Sequence, residues 1–320
     1  LKSREIEFHI VGAGLSGLSL ARELIDRGFN VRVSEMRDRV GGISVLDSEV
    51  VGLIEEISLE VNVSLQATAV KLGGSTVIVS SSGVETIDRG VVAVGFRTAT
   101  PIELGIVGDR PAGVYPFHAA LDLIMSGLSP GRTIAVYGAH RYSVLLAEKL
   151  SEYSRRVYII DPGSTTEIIP KNIEVIRSKV RVLKGPHRLS EIKLDKGSLE
   201  ADTLIISIFK PWNPFPELPP VGHAALETYN PGALLEASRL LAVNLSCEEQ
   251  TYRRVKVEGE IQVFPKTLTP CLRELLVIKP GGGRIEVNGR VYSISGDYTI
   301  VRAPENSRDL RVRVFEVWSS

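Results

Sequence analysis

Cysteine, methionine and glutamine are nearly missing from this 320-residue chain, which has two cysteines, two methionines and three glutamines (Gln66, Gln250 and Gln262). Cys247 and Cys271 stand 24 residues apart and form neither a CxxC pair nor a metal-ligand cluster. That spacing excludes a local redox dithiol and an iron–sulfur ligand set, and no metal site is expected. The two are read as small buried hydrophobes rather than as a disulfide framework. The scarcity of labile side chains points toward a thermophile. Charge of either sign is also missing as a surplus. Lys plus Arg and Asp plus Glu number 38 each, and no basic patch is interleaved with aromatics, which excludes nucleic acid as the expected partner. Any ligand phosphate must be held locally, by glycine turns and helix ends. No uncharged apolar run approaches the ~18 residues of a membrane span, and no signal peptide fits before the first strand. A cytoplasmic protein of two or three domains is expected.

What is present begins with the stretch from Ile6 to Gly42. Phe8 to Val11 reads as a buried parallel strand. It runs into Gly12-Ala13-Gly14-Leu15-Ser16-Gly17, after which apolar residues recur at helical spacing as far as Arg27. A second strand, Asn30 to Ser34, ends at Glu35. Gly12 permits the tight turn, Gly14 lets backbone approach a pyrophosphate, and Gly17 allows close packing of helix on strand. The helix N-terminus offers free N–H groups and a positive dipole end to that pyrophosphate. Glu35, 18 residues beyond Gly17, stands where a carboxylate accepts from ribose hydroxyls. Strand, turn, helix and closing acid together predict a dinucleotide site.

Further along, Asp47 to Glu56 reads as a short helix. Val61 to Thr68, Val70 to Leu72, Thr76 to Ser80 and Val84 to Ile87 read as an antiparallel meander, and Gly90 to Val94 as a buried strand. The first pattern then returns. A strand Ile134 to Tyr137 meets the turn Gly138 to Ser143, then a helix Val144 to Tyr153 and a strand Val157 to Ile160 ending at Asp161. A proline-rich crossing, Lys210 to Pro216, leads to a helix opened by Asn230 as N-cap and Pro231 at its first position. From Glu249 onward short β runs follow, the last from Arg311 to Val317. Asn288-Gly289 among them marks a tight hairpin.

Two nested dinucleotide folds resemble the two-dinucleotide-binding-domain flavoproteins, the pyridine nucleotide–disulfide oxidoreductase superfamily. Gly12, Gly14, Gly17, Glu35 and Gly42 match its FAD fingerprint, and Val92-Ala93-Val94-Gly95 resembles its ATG strand end. The stretch from Leu104 to Tyr115 is similar to FAD/NAD subunits of glycerol-3-phosphate, sarcosine and proline dehydrogenases. The resemblance implies an α/β fold of two Rossmann-like domains, the second inserted in the first, and a small C-terminal all-β domain. Its expected boundaries are 1–108 with 213–248 for FAD, 109–212 for a degenerate NAD(P)-type domain, and 249–320 for the β domain. The implied FAD contacts are Gly12, Ala13, Gly14, Leu15, Ser16, Gly17, Glu35, Met36, Arg37, Gly41 and Gly42. Ala69, Val70, Val94, Gly95, Phe96, Gly222 and His223 complete the set. Arg97 is a further candidate beside the flavin, and the N-terminus of the Pro231 helix would point toward its pyrimidine edge.

The departures from the family pattern are equally specific. The second fingerprint reads Gly138-x-His140-x-x-Ser143, with a bulky side chain where backbone must approach a pyrophosphate. This argues against NAD(P) there, although Asp161 stands where a ribose-binding acid belongs. His223 replaces the acid of a Gly-Asp pair that holds the flavin ribityl chain. No cysteine precedes residue 247, which argues against thiol–disulfide chemistry. The expected function is an FAD-dependent oxidoreductase, a dehydrogenase subunit passing electrons from a small-molecule substrate to a partner subunit or other acceptor; a homo-oligomer is the alternative assembly. The competing reading is a non-catalytic subunit binding FAD or an adenine nucleotide. No catalytic residue is singled out; Tyr115 and His118 stand near the domain crossing.

Overall fold

The computed structural model describes residues 7–163, 167–249, 251–304 and 309–315. Ile6, and Glu316 and Val317 of the last expected strand, lie outside the described residues; that strand runs Asp309–Val314. The helices are α1 (Leu15–Ile25), α2 (Ser48–Glu60), α3 (Phe117–Met125), α4 (Arg141–Ser151) and α5 (Pro231–Leu245). Among the described residues no helix is long and apolar enough to cross a membrane. The chain forms two compact units, one of residues 1–42, 50–95 and 211–320, the other of 43–49 and 96–210. Apart from the short excursion of residues 43–49, it passes between them at Gly95–Phe96 and Lys210–Pro211, earlier than the expected boundaries near 108 and 212. The physical reason is packing: Ile106 lies in the second unit's core, and Val107–Gly108 pairs with Val180–Lys184 there.

In the first unit four parallel strands lie in the order Asn62–Ser64, Asn30–Ser34, Glu7–Val11, Gly90–Val92. The Phe8–Val11 run is buried, as a parallel strand covered on both faces must be. The expected strand Val61–Thr68 is split. Its first part joins this parallel sheet, the chain turns at Gln66 (φ 53°), and only Thr68–Leu72 enters the meander. The N–H groups of Gln66 and Ala67 bond the carbonyls of Arg37 and Glu35, which explains the break.

The C-terminal strands belong to this same unit. One sheet orders Thr267–Leu268, Arg253–Glu258, Asp309–Val314, Gly283–Val287, Arg290–Ile294, and a second orders Gln262–Phe264, Glu274–Ile278, Tyr298–Arg302. Asn288 and Gly289 take φ of 46° and 85°, the paired positive values a two-residue hairpin needs. Leu275, Leu276 and Ile278 share one continuous core with Leu234, Leu240 and Leu241 of α5 and with Leu18 of α1.

Cys247 and Cys271 form a disulfide, with Cα atoms 5.7 Å apart. This corrects their reading as unlinked buried hydrophobes. The link joins the chain just after α5 to the segment before Glu274–Ile278. Closing a loop of this length stabilises the fold by about 3.5 kcal/mol in the chain-entropy account. Such bonds persist in oxidising compartments and in intracellular proteins of hyperthermophiles. Further along the same pair of elements, Arg239 Nη2 donates to Glu274 at 2.7 Å. Near the start of α5, the Tyr298 hydroxyl lies 2.7 Å from where a Cβ on Gly232 would stand. The strand Glu274–Ile278 therefore runs along α5 from its C-terminal end toward its N-terminal end.

The second unit centres on five parallel strands ordered Val114–Pro116, Thr203–Ile206, Thr133–Tyr137, Arg156–Asp161, Glu174–Arg177. Four further strands (Ser198–Glu200, Glu191–Leu194, Val180–Lys184 and Val107–Gly108) form a second sheet. Helix α3 is an addition to the elements read from the sequence. It buries Phe117, Ala120, Leu121 and Ile124, the one-sided spacing of an amphipathic helix.

Candidate functional site

Gly12 to Gly17 joins the strand Glu7–Val11 to α1. Gly12 has φ 108°, and a Cβ on it would meet the Ala93 carbonyl oxygen at 2.4 Å. Its N–H donates to the Ser34 carbonyl at 2.7 Å. At Gly17 a Cβ would stand 2.0 Å from the Gly12 carbonyl oxygen. Both positions therefore require glycine. Gly14 differs in kind: a Cβ there would meet nothing within 4 Å. Its missing side chain leaves open space over the start of α1, and as N-cap it makes no side-chain cap bond. The first N–H groups of a helix have no partner within it. Here they face an open cradle of the kind a pyrophosphate fits.

Glu35 closes this cradle. Its Oε2 accepts the Ala13 N–H at 2.9 Å and its Oε1 the Arg37 N–H at 3.0 Å. Each carboxylate oxygen keeps a further lone pair for a ribose hydroxyl. Gly41 donates its N–H to the Ala13 carbonyl at 2.8 Å and bridges Gly14. A Cβ on Gly42 (φ 57°) would approach the Gly14 Cα at 3.7 Å. The structure thus brings Gly12, Ala13, Gly14, Leu15, Ser16, Gly17, Glu35, Arg37, Gly41 and Gly42 into one place. Met36 is exposed beside them. These residues fit the adenosine and pyrophosphate portions of a dinucleotide.

Gly222 also belongs to this place. Its φ is 62°, and a Cβ would lie 2.2 Å from the Ser16 hydroxyl. Ser238 of α5 donates to the Ser16 carbonyl at 3.0 Å, which sets α5 against the first turn of α1. Val221 N–H bonds the Val92 carbonyl at 2.8 Å, so the return segment continues the parallel sheet beside the strand leading to Val94 and Gly95.

Other expected contacts are placed differently. Ala69 and Val70 pair with Ile78 and Val77 inside the meander; Gln66 and Ala67 are the residues bonded beside Glu35. Phe96 is buried in the second unit, stacked on Phe209 at 3.3 Å between ring centroids and 5.0 Å from His118. Arg97 is held by both carboxylate oxygens of Glu103, at 2.8 and 2.6 Å. That pair holds the Glu103 carboxyl well below the usual carboxylate range. His223 turns its Nε2 to the Thr228 carbonyl at 2.7 Å. Burial pushes its pKa down to about 4, against the pull of that carbonyl. The N-terminus of α5 is capped by Asn230, whose Oδ1 accepts the Gly232 N–H at 2.9 Å.

The second turn repeats the first at its outset. Gly138 has φ 123°, a Cβ on it would meet the Ser207 carbonyl oxygen at 2.3 Å, and its N–H donates to the Ile160 carbonyl at 2.9 Å. After that it departs. His140 is the N-cap of α4 and is buried, 7% exposed as a residue. Its Nδ1 accepts the Ser143 N–H at 3.4 Å, and its Nε2 lies 2.8 Å from the Ser207 carbonyl oxygen. A proton on Nε2 satisfies both contacts. Ser143 is fully buried and its hydroxyl meets that of Ser207 at 2.8 Å. Arg141, opening α4, donates from Nε and Nη2 to the two carboxylate oxygens of Asp47 at 2.7 and 2.8 Å, and Nη2 pairs with Glu49 at 2.6 Å. Burial alone would raise the Asp47 pKa; the bonds from Arg141 and the Glu49 N–H outweigh it and hold the carboxyl low. Asp161 accepts the N–H of Gly163 at 2.9 Å. Among the described residues no cluster of three His, Cys, Asp or Glu stands ready for a metal ion.

Residues 10–47 match the NAD(P)-binding Rossmann-like domain family, a span that covers the first turn and its closing acid. No characterised protein matches by sequence. Among solved structures, T. acidophilum thioredoxin reductase is similar over 76% of this chain and 98% of its own, with a TM-score of 0.55 and 16% identity. A NAD-dependent persulfide reductase from A. fulgidus is similar over 93% of this chain and 71% of its own, with a TM-score of 0.55 and 15% identity. L-proline dehydrogenase from P. horikoshii is similar over 75% of this chain, with a TM-score of 0.54 and 16% identity; the match spans 55% of that chain. At such identities the likeness is one of fold, a mixed α/β architecture with parallel Rossmann-like sheets.

Proposed function

We propose that this protein is an FAD-dependent oxidoreductase that holds its cofactor at the first glycine turn. The observation that carries the reading is the open, uncapped start of α1 at Gly14, closed on one side by Glu35 and on the other by Gly41 and Gly42. Gly12 to Gly17 would hold the pyrophosphate and Glu35 the ribose; Gly222, against Ser16, stands where the chain would follow the cofactor onward. When bound, the flavin supplies the redox chemistry, and the protein supplies orientation and charge. The names of the structural neighbours (thioredoxin reductase, persulfide reductase, proline dehydrogenase) support a redox role. A dehydrogenase subunit passing electrons to a partner is the finer form of this proposal, with the FAD domain in the first unit and the NAD(P)-like domain in the second.

Thiol chemistry on the flavin is disfavoured. Cys247 lies nine residues beyond Ser238, the α5 residue bonded to Ser16, which is roughly 13 Å along a helix.

A second reading has its own observation. The start of α5 is capped by Asn230 and approached by the Tyr298 hydroxyl, which crowds the place expected for the flavin pyrimidine edge. This favours a protein that retains only an adenine nucleotide. The deciding experiment is the visible absorption spectrum of the purified protein before and after incubation with FAD, together with ADP and FAD affinities. Flavin bands that bleach on reduction support the oxidoreductase. An absence of flavin bands in the protein as purified, with FAD bound no more tightly than ADP, supports the second reading and overturns the first.

A further inference from the structure

We infer that the second glycine turn is closed by the chain's own side chains and takes no nicotinamide dinucleotide, so that each chain holds one dinucleotide, at the first turn. The stoichiometry rests on the proposed first site; the closure of the second turn does not.

Three observations carry the closure. First, the position that must be bare for backbone to reach a pyrophosphate is His140, and its imidazole is folded inward. It caps α4 through the Ser143 N–H and meets the Ser207 carbonyl, and its ring packs 4.5 Å from Phe209. One of the N–H groups that would receive a phosphate is therefore already engaged. Second, Arg141 at the mouth of α4 is a cation in a suitable place for phosphate, yet it is bound in bidentate fashion to Asp47, which is 1% exposed on its side chain, and also to Glu49. One guanidinium facing two carboxylates leaves net negative charge at that helix end, which repels a dinucleotide's phosphates. Third, the segment carrying these carboxylates is fixed to α4 a second time, through Ser44 and the buried Tyr142, whose hydroxyls lie 3.4 Å apart. Residues 43–49 thus serve as an internal anionic ligand of the α4 N-terminus. The electron donor to a flavin at the first turn is accordingly a substrate or partner reacting with it directly, not a nicotinamide held by the second unit.

The test titrates NADH and NADPH into the full chain saturated with FAD, reading nicotinamide fluorescence, in the wild type, Gly14→Val and Asp161→Ala. No saturable signal is expected to about 1 mM, the upper end of ordinary working affinities. Nicotinamide binding seen without FAD that FAD displaces and Gly14→Val removes belongs to the first turn, and upholds the closure. Saturable binding that persists with FAD in place overturns it, and a loss in Asp161→Ala would locate that binding at the second turn. Should FAD fail to bind, the same titration is read without it. Absence of nicotinamide binding then still upholds the closure, while the FAD result overturns only the proposed function. A second readout is thermal: His140→Gly is expected to lower Tm by several degrees and leave FAD affinity unchanged. An unchanged Tm would overturn the assignment of His140 as a structural cap.

Discussion

Gly12 and Gly138 sit in the same backbone setting. Each takes a positive φ, each faces a carbonyl oxygen that a Cβ would strike at 2.4 or 2.3 Å, and each donates its N–H to the strand that follows the next helix. The two turns part at their second position. Gly14 leaves α1 uncapped and open; His140 caps α4 and fills the space. They part again at the acid, since Glu35 reaches back to Ala13 inside its own turn whereas Asp161 accepts from Gly163, two residues onward. The first position is thus a requirement of the strand–turn–helix fold, and the second is where the proposed ligand would make its demand.

The comparison can be broken at its shared position. Gly12→Ala and Gly138→Ala should each cost about 4 kcal/mol, adding backbone strain to a clash with a carbonyl. Chemical denaturation measures both, and a mild effect at either would mean that the two turns are not alike. The units can also be separated by chemistry, because the Cys247–Cys271 bond lies wholly in the first. Its reduction should lower that unit's stability by about 3.5 kcal/mol, read by denaturation with and without a thiol reductant.

At the second position the two glycine turns should diverge. Gly14→Ser should fold normally, since its side chain meets open space, but lose about 100-fold in FAD affinity, or close to 3 kcal/mol. Asp47→Ala should destabilise the second unit by about 2 kcal/mol, below the usual cost of breaking a buried pair because Glu49 remains beside Arg141. The remaining effect concerns pH. The folded-state pKa of His223 lies near 4, below its ordinary value of 6.5. Its contribution is therefore complete above pH 6.5 and is lost as pH falls through 4, at no more than about 1.4 kcal/mol per pH unit. His223→Asn should flatten the stability–pH curve in that window.

The first turn was legible because everything that defines it is local: three glycines, a strand, a helix and an acid within 30 residues. The misplacements share a different cause. Phe96 follows a strand end in the sequence, but its stacking partner Phe209 lies more than a hundred residues on, and no spacing rule connects them. Ala69 and Val70 lie just beyond the expected strand Val61–Thr68, and the break at Gln66 sets Gln66 and Ala67 beside Glu35 instead. The disulfide depends on the C-terminal strands folding back along α5, which the cysteine spacing alone does not encode. Helix α3 is the exception, since Phe117, Ala120, Leu121 and Ile124 carried its period in plain view.

Cys247 and Cys271 also sit on either side of the passage from α5 into the C-terminal strands. A protease that cuts any peptide bond between them makes two polypeptides but releases neither, because the sulfurs still join the pieces and the shared apolar core still holds them. Such a nicked protein would migrate as one species on a non-reducing gel and as two after reduction. The same bond makes this junction a place where the backbone can be opened without the loss of a fragment.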